Sequence, residues 1–176
     1  MFADPESNIS QFELKEGDQV ADLGAGSGFY TVAAARKVGD KGRVHALEVQ
    51  KDLLTRVKHE AEKAHLHNVD IIWANIEKLG GTKLRDRSMD AVIISNVLFQ
   101  VEDKPIFALE VKRILKPTGR ILLIDWSDSF GGMGPKGDAL IPKDKAVALF
   151  APHGFELEKD ISAGAHHYGI ILKKNL

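Results

Sequence analysis

Short runs of apolar, β-branched residues alternate along this chain with longer segments in which apolar residues recur every three or four positions. The short runs are typical of buried strands, and the longer segments are typical of amphipathic helices. This alternation predicts repeated strand–helix–strand units, and therefore a doubly wound, mostly parallel α/β sheet. We predict seven strands, at residues 19–23, 43–48, 69–74, 89–95, 119–125, 155–161 and 167–172.

Helical patterns fill most of the intervals between the predicted strands. They cover residues 5–12, 29–38, 51–64, 143–151, and a segment that starts at 103–105 and stops at 116–119. No helical pattern separates the last two strands, so we expect strand seven to run antiparallel in an otherwise Rossmann-like sheet. One domain, residues 1–176, accounts for the whole pattern.

Composition and charge narrow the functional class. The chain has 176 residues, a formal net charge of −1 and no cysteine. Near-neutrality argues against a dedicated nucleic-acid binder, because neutralising phosphates usually requires a basic surplus. The lack of cysteine rules out disulfides and thiolate metal sites and is compatible with the cytoplasm. We expect no bound metal.

The chain shows no sign of membrane insertion or secretion. Residues 1–6 contain neither a basic start nor an apolar run, which argues against a signal peptide. The apolar stretches at 91–94 and 121–124 are too short to span a bilayer. We therefore expect a soluble, cytoplasmic protein without a membrane partner.

The segment 22–28, Asp-Leu-Gly-Ala-Gly-Ser-Gly, carries the most chemical information. It follows a predicted strand and precedes a predicted helix. Glycines allow a sharp turn and close approach of a ligand, and the start of the helix favours an anion. A glycine-rich turn alone is weak evidence, since many α/β proteins use one for packing.

The spacing of this turn and two carboxylates distinguish between possible cofactors. A dinucleotide-binding turn has glycines at its first, third and sixth positions, whereas Phe29 occupies the sixth position here. Asp22 would oppose a pyrophosphate but suit the amino group of S-adenosylmethionine (SAM). Glu48, at the end of the second strand, can accept hydrogen bonds from ribose hydroxyls. The pattern predicts SAM rather than a nicotinamide cofactor.

Two further segments support this prediction, the strand end 92–96 and the stretch 110–120 with its Arg-Ile-Leu-Lys-Pro-Thr-Gly-Arg sequence. With the glycine turn and Glu48, they resemble the class I SAM-dependent methyltransferases. More narrowly, they resemble the ubiquinone/menaquinone-biosynthesis-like and arsenite-methyltransferase-like subgroup. The resemblance covers about residues 14–175 and is specific for fold and cofactor, but not for the methyl acceptor.

The resemblance implies SAM as cofactor, S-adenosylhomocysteine as product and a set of cofactor contacts. At Asn75 the family usually has an aspartate, which pairs with the adenine amino group. The implied contacts are Asp22, Gly24, Ala25, Gly26, Gly28, Tyr30 and Thr31 at the methionine end, Glu48 at the ribose, Val49, Gln50, Asn75 and Ile76 near the adenine, and Ser95 and Asn96 beside the cofactor.

Methyl transfer from a sulfonium needs no acid, and it needs a base only if the acceptor has a proton to lose. Ligands lie beyond the carboxyl ends of parallel strands. The catalytic candidates at that edge are Asp125, His166, His167 and Tyr168. Capping of a loop by Asp125 and solvated turn histidines are the non-catalytic alternatives.

The methyl acceptor is not determined by these motifs. We expect a small molecule methylated at oxygen, carbon or nitrogen. The N-methyltransferase signature is absent, and the lack of cysteine argues against arsenite methylation. An RNA or protein methyltransferase, a catalytically inactive SAM-binding protein and, more distantly, a nicotinamide-dependent reductase are the alternatives. A homodimer is possible, and the loop 127–142 is either a lid or an ordinary surface loop.

Overall fold

A computed structural model describes residues 3–175 and contains one seven-stranded sheet. The strands are β1 (Gln19–Leu23), β2 (Arg43–Glu48), β3 (Val69–Trp73), β4 (Met89–Ser95), β5 (Leu115–Trp126), β6 (Phe155–Ile161) and β7 (His167–Lys174). Their order is β3-β2-β1-β4-β5-β7-β6. The first five are parallel, and β7 is antiparallel to both β5 and β6. The predicted fold class is confirmed.

Five helices cover the two faces of this sheet. They are α1 (Pro5–Phe12), α2 (Phe29–Val38), α3 (Lys51–Lys63), α4 (Lys104–Ile114) and α5 (Lys143–Phe150). Helices α1 and α2 cover one core cluster, α3 packs beside α2, and α4 and α5 cover the cluster on the opposite face. Because β1 and β4 are buried on both faces, their sequences are nearly continuous apolar runs.

Two sequence expectations concern the membrane and secretion. Within residues 3–175, no helix combines the length and apolar character needed to cross a membrane. The expectation that no signal peptide is present depends partly on residues 1 and 2, which lie outside the described residues.

Two helices, α1 and α4, begin with an aspartate cap followed by proline in the first turn. α1 begins at Pro5, and the Asp4 carboxylate accepts a hydrogen bond from the Glu6 amide at 3.1 Å. α4 begins in the same way, with Asp103 accepting from the Ile106 amide at 3.0 Å. Both aspartates satisfy amides that the first turn of a helix leaves without a partner.

The end of α4 differs from the prediction. We predicted that the helix continues to a stop at 116–119, but it ends at Ile114 and β5 begins at Leu115. Leu115 pairs with Met89 of β4 across an irregular register, and its carbonyl accepts from the Lys174 ammonium at 2.7 Å. These partners come from distant parts of the chain, and they draw the backbone into the sheet before the Pro-Thr-Gly signal.

A buried ion pair fixes α4 to the loop between β3 and β4. The carboxylate of Glu110 is fully buried and accepts from the Arg113 guanidinium at 2.7 Å, the Gly80 amide at 2.8 Å and the Thr82 hydroxyl at 2.5 Å. Burial alone would raise the pKa of Glu110, but the hydrogen bonds from Arg113 and Thr82 outweigh it and lower that pKa to about 2. This pair stabilises the ionised form of Glu110.

Removing the charge of Glu110 should therefore destabilise the fold. We expect Glu110→Gln to lower the free energy of unfolding by about 3 kcal/mol, because Arg113 is left without its buried partner. Glu62→Gln, which removes an exposed ion pair with Lys58 on α3, is the matched control and should change it by less than about 0.5 kcal/mol. Urea denaturation measures both. Equal stability of the two variants would contradict this assignment.

Candidate functional site

A cavity of about 460 Å³ opens at the carboxyl ends of β1, β2, β3 and β4. This edge includes the point at which the strand order reverses, between β1 and β4, where open α/β sheets bind ligands. Its volume lies within the range of roughly 300–1,000 Å³ typical of small-molecule sites. Eleven of the fourteen predicted cofactor residues line it: Gly24, Ala25, Gly26, Tyr30, Glu48, Val49, Gln50, Asn75, Ile76, Ser95 and Asn96.

The other three predicted residues lie behind the cavity wall. Asp22 is 2 % exposed, and its carboxylate accepts a hydrogen bond of 2.6 Å from the buried Thr31 hydroxyl. Gly28 caps the start of α2, and its amide donates to the Ala25 carbonyl. These residues shape the glycine turn from behind and do not line the cavity themselves.

Two glycines of the turn have positive φ and close neighbours. Gly24 has a φ of 73°, and a Cβ there would lie 2.6 Å from the Val97 side chain. Gly28 has a φ of 85°, and a Cβ there would lie 3.0 Å from the Val57 backbone in α3. Only glycine fits both the backbone conformation and the space. The spacing of the sequence motif therefore reflects close packing as well as access for a ligand.

Glu48 joins the glycine turn to the turn after β2. One carboxylate oxygen accepts from the Val49 and Gln50 amides at 2.9 and 3.0 Å, and the other accepts from the Gly26 amide at 3.1 Å. A carboxylate has about four acceptor positions, so about one stays available for a ligand. Glu48 thus lines the cavity and also holds the two turns of its wall together.

Asp22 is held as a buried carboxylate at an energetic cost. Burial raises the pKa of Asp22 to about 6, the hydrogen bond from Thr31 lowers it in part, and repulsion from Glu48 adds to the rise. A buried carboxyl without a cationic partner destabilises a fold. Groups with strongly perturbed pKa values often lie at functional sites, which agrees with the position of Asp22 behind the glycine turn.

Asn75 and Trp73 organise the far end of the cavity. The side-chain oxygen of Asn75 accepts from the Glu77 amide at 2.9 Å and closes a local turn. The indole of Trp73, which is half exposed, donates to the Val49 carbonyl at 2.9 Å. Both bonds stabilise the turns that follow β2 and β3.

Sequence reasoning missed part of the cavity wall. Ser27, Leu47 and Ala74 are direct neighbours of predicted residues, so the motif spacing could have indicated them. Ala3 and Pro5 belong to the N-terminal segment, and no sequence signal places them there. The packing of α1 against α2 brings them to the cavity.

The first catalytic candidate, Asp125, is 1 % exposed at the end of β5 and does not line the cavity. Its carboxylate accepts from the Trp126 amide at 2.8 Å and the Phe99 amide at 3.3 Å. Burial raises the pKa of Asp125 to about 6. These bonds tie β5 to the turn after β4, which is the geometry of a loop-capping carboxylate. A role as a base stays a prediction.

The other three candidates follow the turn between β6 and β7, also outside the cavity wall. His166 lies 2.7 Å from the Asp128 carboxylate and stacks on Phe130. The ring of His167 lies 4.3 Å from the Trp126 ring, and burial lowers its pKa. Tyr168 pairs with Asp125 across the sheet, and burial raises the pKa of its phenol. Their catalytic roles stay predictions.

The loop 127–142 carries the exposed side chains of Phe130 and Met133. The backbones of these two residues form an isolated β-bridge. At Gly134 a Cβ would lie 2.7 Å from the Trp126 ring, so the loop packs closely on the end of β5. None of its residues lines the cavity. Its role as a lid stays a prediction.

The family of this chain follows from its similarity to known proteins. Residues 14–150 match the family model described as "Methyltransferase domain". The chain belongs to this methyltransferase family. The match covers both carboxylates, the glycine turn and all of β1 to β5, and it confirms the resemblance on which the site residues were predicted.

Curated relatives point in the same direction. The chain is 31 % identical over 115 residues to a ubiquinone/menaquinone biosynthesis C-methyltransferase of Teredinibacter turnerae, an alignment that covers 65 % of this chain and 45 % of that protein. It is 31 % identical over 114 residues to a demethylmenaquinone methyltransferase of Listeria monocytogenes, covering 65 % of this chain and 47 % of that protein. The matched region thus spans about half the length of these relatives.

Solved structures share the whole fold. A SAM-dependent methyltransferase from Aquifex aeolicus is similar with a TM-score of 0.87 and 26 % identity, covering 99 % of this chain and 91 % of that one. An arsenic(III) SAM methyltransferase from Chlamydomonas reinhardtii has a TM-score of 0.70 at 24 % identity, covering 92 % of this chain and 64 % of that one. The second similarity concerns the fold alone.

The buried carboxyl of Asp22 leads to a pH-dependent prediction. Its pKa is raised from 3.8 to about 6 on folding, so ionisation between these values destabilises the folded state. We expect Asp22→Asn, which can still accept from Thr31, to gain stability relative to the parent as pH rises from 4 to 8. The gain should be at most about 3 kcal/mol, since two pKa units correspond to that energy.

Denaturation of the parent and of Asp22→Asn at both pH values measures this gain. Asp52→Asn, which removes an exposed carboxylate of α3, controls for the loss of charge. A stability difference between Asp22→Asn and the parent that is independent of pH would show that Asp22 does not titrate in this range.

Proposed function

We propose that this chain transfers a methyl group from SAM to a small-molecule acceptor, and that the cavity described above binds the cofactor. SAM is the cofactor indicated by membership of the family and by the relatives. The observation that carries the proposal is the meeting of the glycine turn and the Glu48 carboxylate at a single cavity.

The residues present fit the parts of SAM. The start of α2 offers backbone amides and a positive dipole end to the methionine carboxylate. The remaining acceptor position of Glu48 suits a ribose hydroxyl, and Val49 and Ile76 offer apolar surface to the adenine. A pyrophosphate would instead meet the carboxylate of Glu48, with the Asp22 carboxylate buried close behind the turn, and this argues against a dinucleotide.

SAM supplies an electrophilic methyl group on a sulfonium. In the proposed reaction, the chain holds the cofactor so that an acceptor atom can approach in line, and such positioning can contribute roughly 7–11 kcal/mol. No acid is required. A base is required only for an acceptor that loses a proton, and Asp125, with its raised pKa, and the pair formed by His166 and Asp128 are the groups we propose for that role.

We propose a small, largely apolar acceptor. The cavity wall includes Pro5 and the half-exposed ring of Phe29, which offer apolar contact beyond the cofactor residues. The curated relatives are named for quinone biosynthesis, which supports an aromatic carbon acceptor. Nothing in the site favours an RNA or protein acceptor over a small molecule.

Binding of SAM by this cavity can be measured directly by calorimetry. We expect the parent to bind SAM and not NADH. Glu48→Gln should weaken SAM binding by about 10- to 100-fold, because a hydrogen bond to a charged group contributes roughly 1.5–3 kcal/mol. Asp22→Asn should also weaken SAM binding, because it removes a negative charge behind the glycine turn that would attract the amino group of SAM. Glu16→Gln, an exposed carboxylate paired with Lys41, is the matched control. Unchanged affinity in both site variants would refute the assignment.

Catalysis is tested separately, by release of S-adenosylhomocysteine in the presence of candidate acceptors. We expect release with uncharged aromatic small molecules such as hydroquinones and not with RNA or peptides. Glu48→Gln should reduce the rate of S-adenosylhomocysteine release at low SAM concentration. The rate should recover when the SAM concentration is raised. SAM binding without release for any acceptor would identify an inactive SAM-binding protein instead.

A further inference from the structure

One side chain of α1 reaches the wall of the cavity from outside. Asn8 is 1 % exposed, and its side-chain nitrogen lies 2.8 Å from the hydroxyl oxygen of Tyr30. Tyr30 lies in the first turn of α2 and lines the cavity together with Pro5 and Ser95. Asn8 does not line the cavity itself, so any effect it has on a ligand passes through Tyr30.

The position of Asn8 is well defined because α1 is attached to the rest of the chain on several sides. Gln11 forms two hydrogen bonds with the backbone of Ser162, each of 3.0 Å. The Arg120 guanidinium donates to the Phe12 carbonyl at 2.9 Å. These contacts come from the β6–β7 turn and from β5, and they hold the helix that carries Asn8.

The hydrogen bond between Asn8 and Tyr30 sets the direction of the phenol proton. An amide nitrogen donates and cannot accept, so the Tyr30 oxygen is the acceptor in this bond. The O–H proton of Tyr30 must then point away from Asn8. Burial raises the pKa of Tyr30, so the phenol keeps its proton at neutral pH.

A proton donor at this place has a specific use. Glu48 lines the cavity beside the glycine turn, so a ligand carboxylate bound there needs hydrogen-bond donors. Tyr30 stands in the first turn of α2, where the helix favours an anion. A neutral O–H donor there adds to the helix amides without adding a charge.

We propose that Asn8 is a positioning residue that directs the Tyr30 hydroxyl proton into the cavity, where it donates to the carboxylate at the methionine end of SAM. This inference rests on the proposed function, since it requires SAM in this cavity. It assigns to α1 a part in recognising one end of the cofactor.

Two ligands separate this role from a structural one. S-adenosylhomocysteine carries the amino-acid carboxylate, and 5′-methylthioadenosine lacks the whole amino-acid end. Asn8→Asp replaces the donor with an acceptor that draws the Tyr30 proton out of the cavity. Tyr30→Phe removes that proton and keeps the ring. We expect each variant to weaken S-adenosylhomocysteine binding by about 10-fold and to leave 5′-methylthioadenosine within about twofold, as measured by calorimetry.

The double variant and a matched control complete the experiment. Asn8→Asp combined with Tyr30→Phe should bind S-adenosylhomocysteine no more weakly than the weaker single variant, because both changes remove one contact. Ser10→Asp introduces a carboxylate at an exposed position of α1, away from Tyr30, and is the control. It should leave the ratio of the two affinities unchanged. If Asn8→Asp does not fold, Asn8→Ala, which removes the donor without burying a charge, replaces it in the comparison of the two ligands.

Three results would overturn the inference while the proposed function stands: equal weakening of both ligands in Asn8→Asp, unchanged S-adenosylhomocysteine affinity in Tyr30→Phe, or fully additive losses in the double variant. A parent chain that binds neither ligand would instead overturn the proposed function, and this inference with it.

Discussion

The structure of the site depends on three hydrogen bonds that backbone amides donate to the Glu48 carboxylate. Two belong to the turn after β2 and the third belongs to Gly26, so one side chain joins the ends of two neighbouring strands. Gly24 and Gly28 let the glycine turn after β1 approach Val97 and Val57 closely enough for this arrangement. Without the carboxylate, three partly buried amides would lack a partner and the two turns would be free to separate.

Three other buried carboxylates, Glu110, Asp22 and Asp125, fall into two classes. Glu110 has a guanidinium and several donors as partners, and its lowered pKa shows that the fold favours its ionised form. Burial raises the pKa of Asp22 and of Asp125, and the fold disfavours their ionised forms. Both lie at the carboxyl edge of the sheet that carries the cavity. A stability cost at that edge is what a site kept for a ligand would show.

The match to the methyltransferase family covers only part of the cavity wall. The matched residues, 14–150, include the glycine turn and Glu48, whereas Ala3 and the α1 residues Pro5 and Asn8 come before the match begins. Part of the cavity wall is therefore supplied by a segment outside the matched region. This agrees with a family that keeps one cofactor and changes its acceptor.

Most elements and eleven residues of the cavity wall could be predicted from the sequence, because they depend on local signals. Periodicity gave the bounds of α2, β4 and β6, and glycine spacing gave the turn. Only the tertiary structure decided where α4 ends, since Leu115 is drawn into the sheet by Met89 and Lys174. It also decided that Asn8 meets Tyr30, 22 positions away. Such pairs depend on how helices and strands pack against one another. Periodicity indicates which face of an element is buried, but not which residue that face meets.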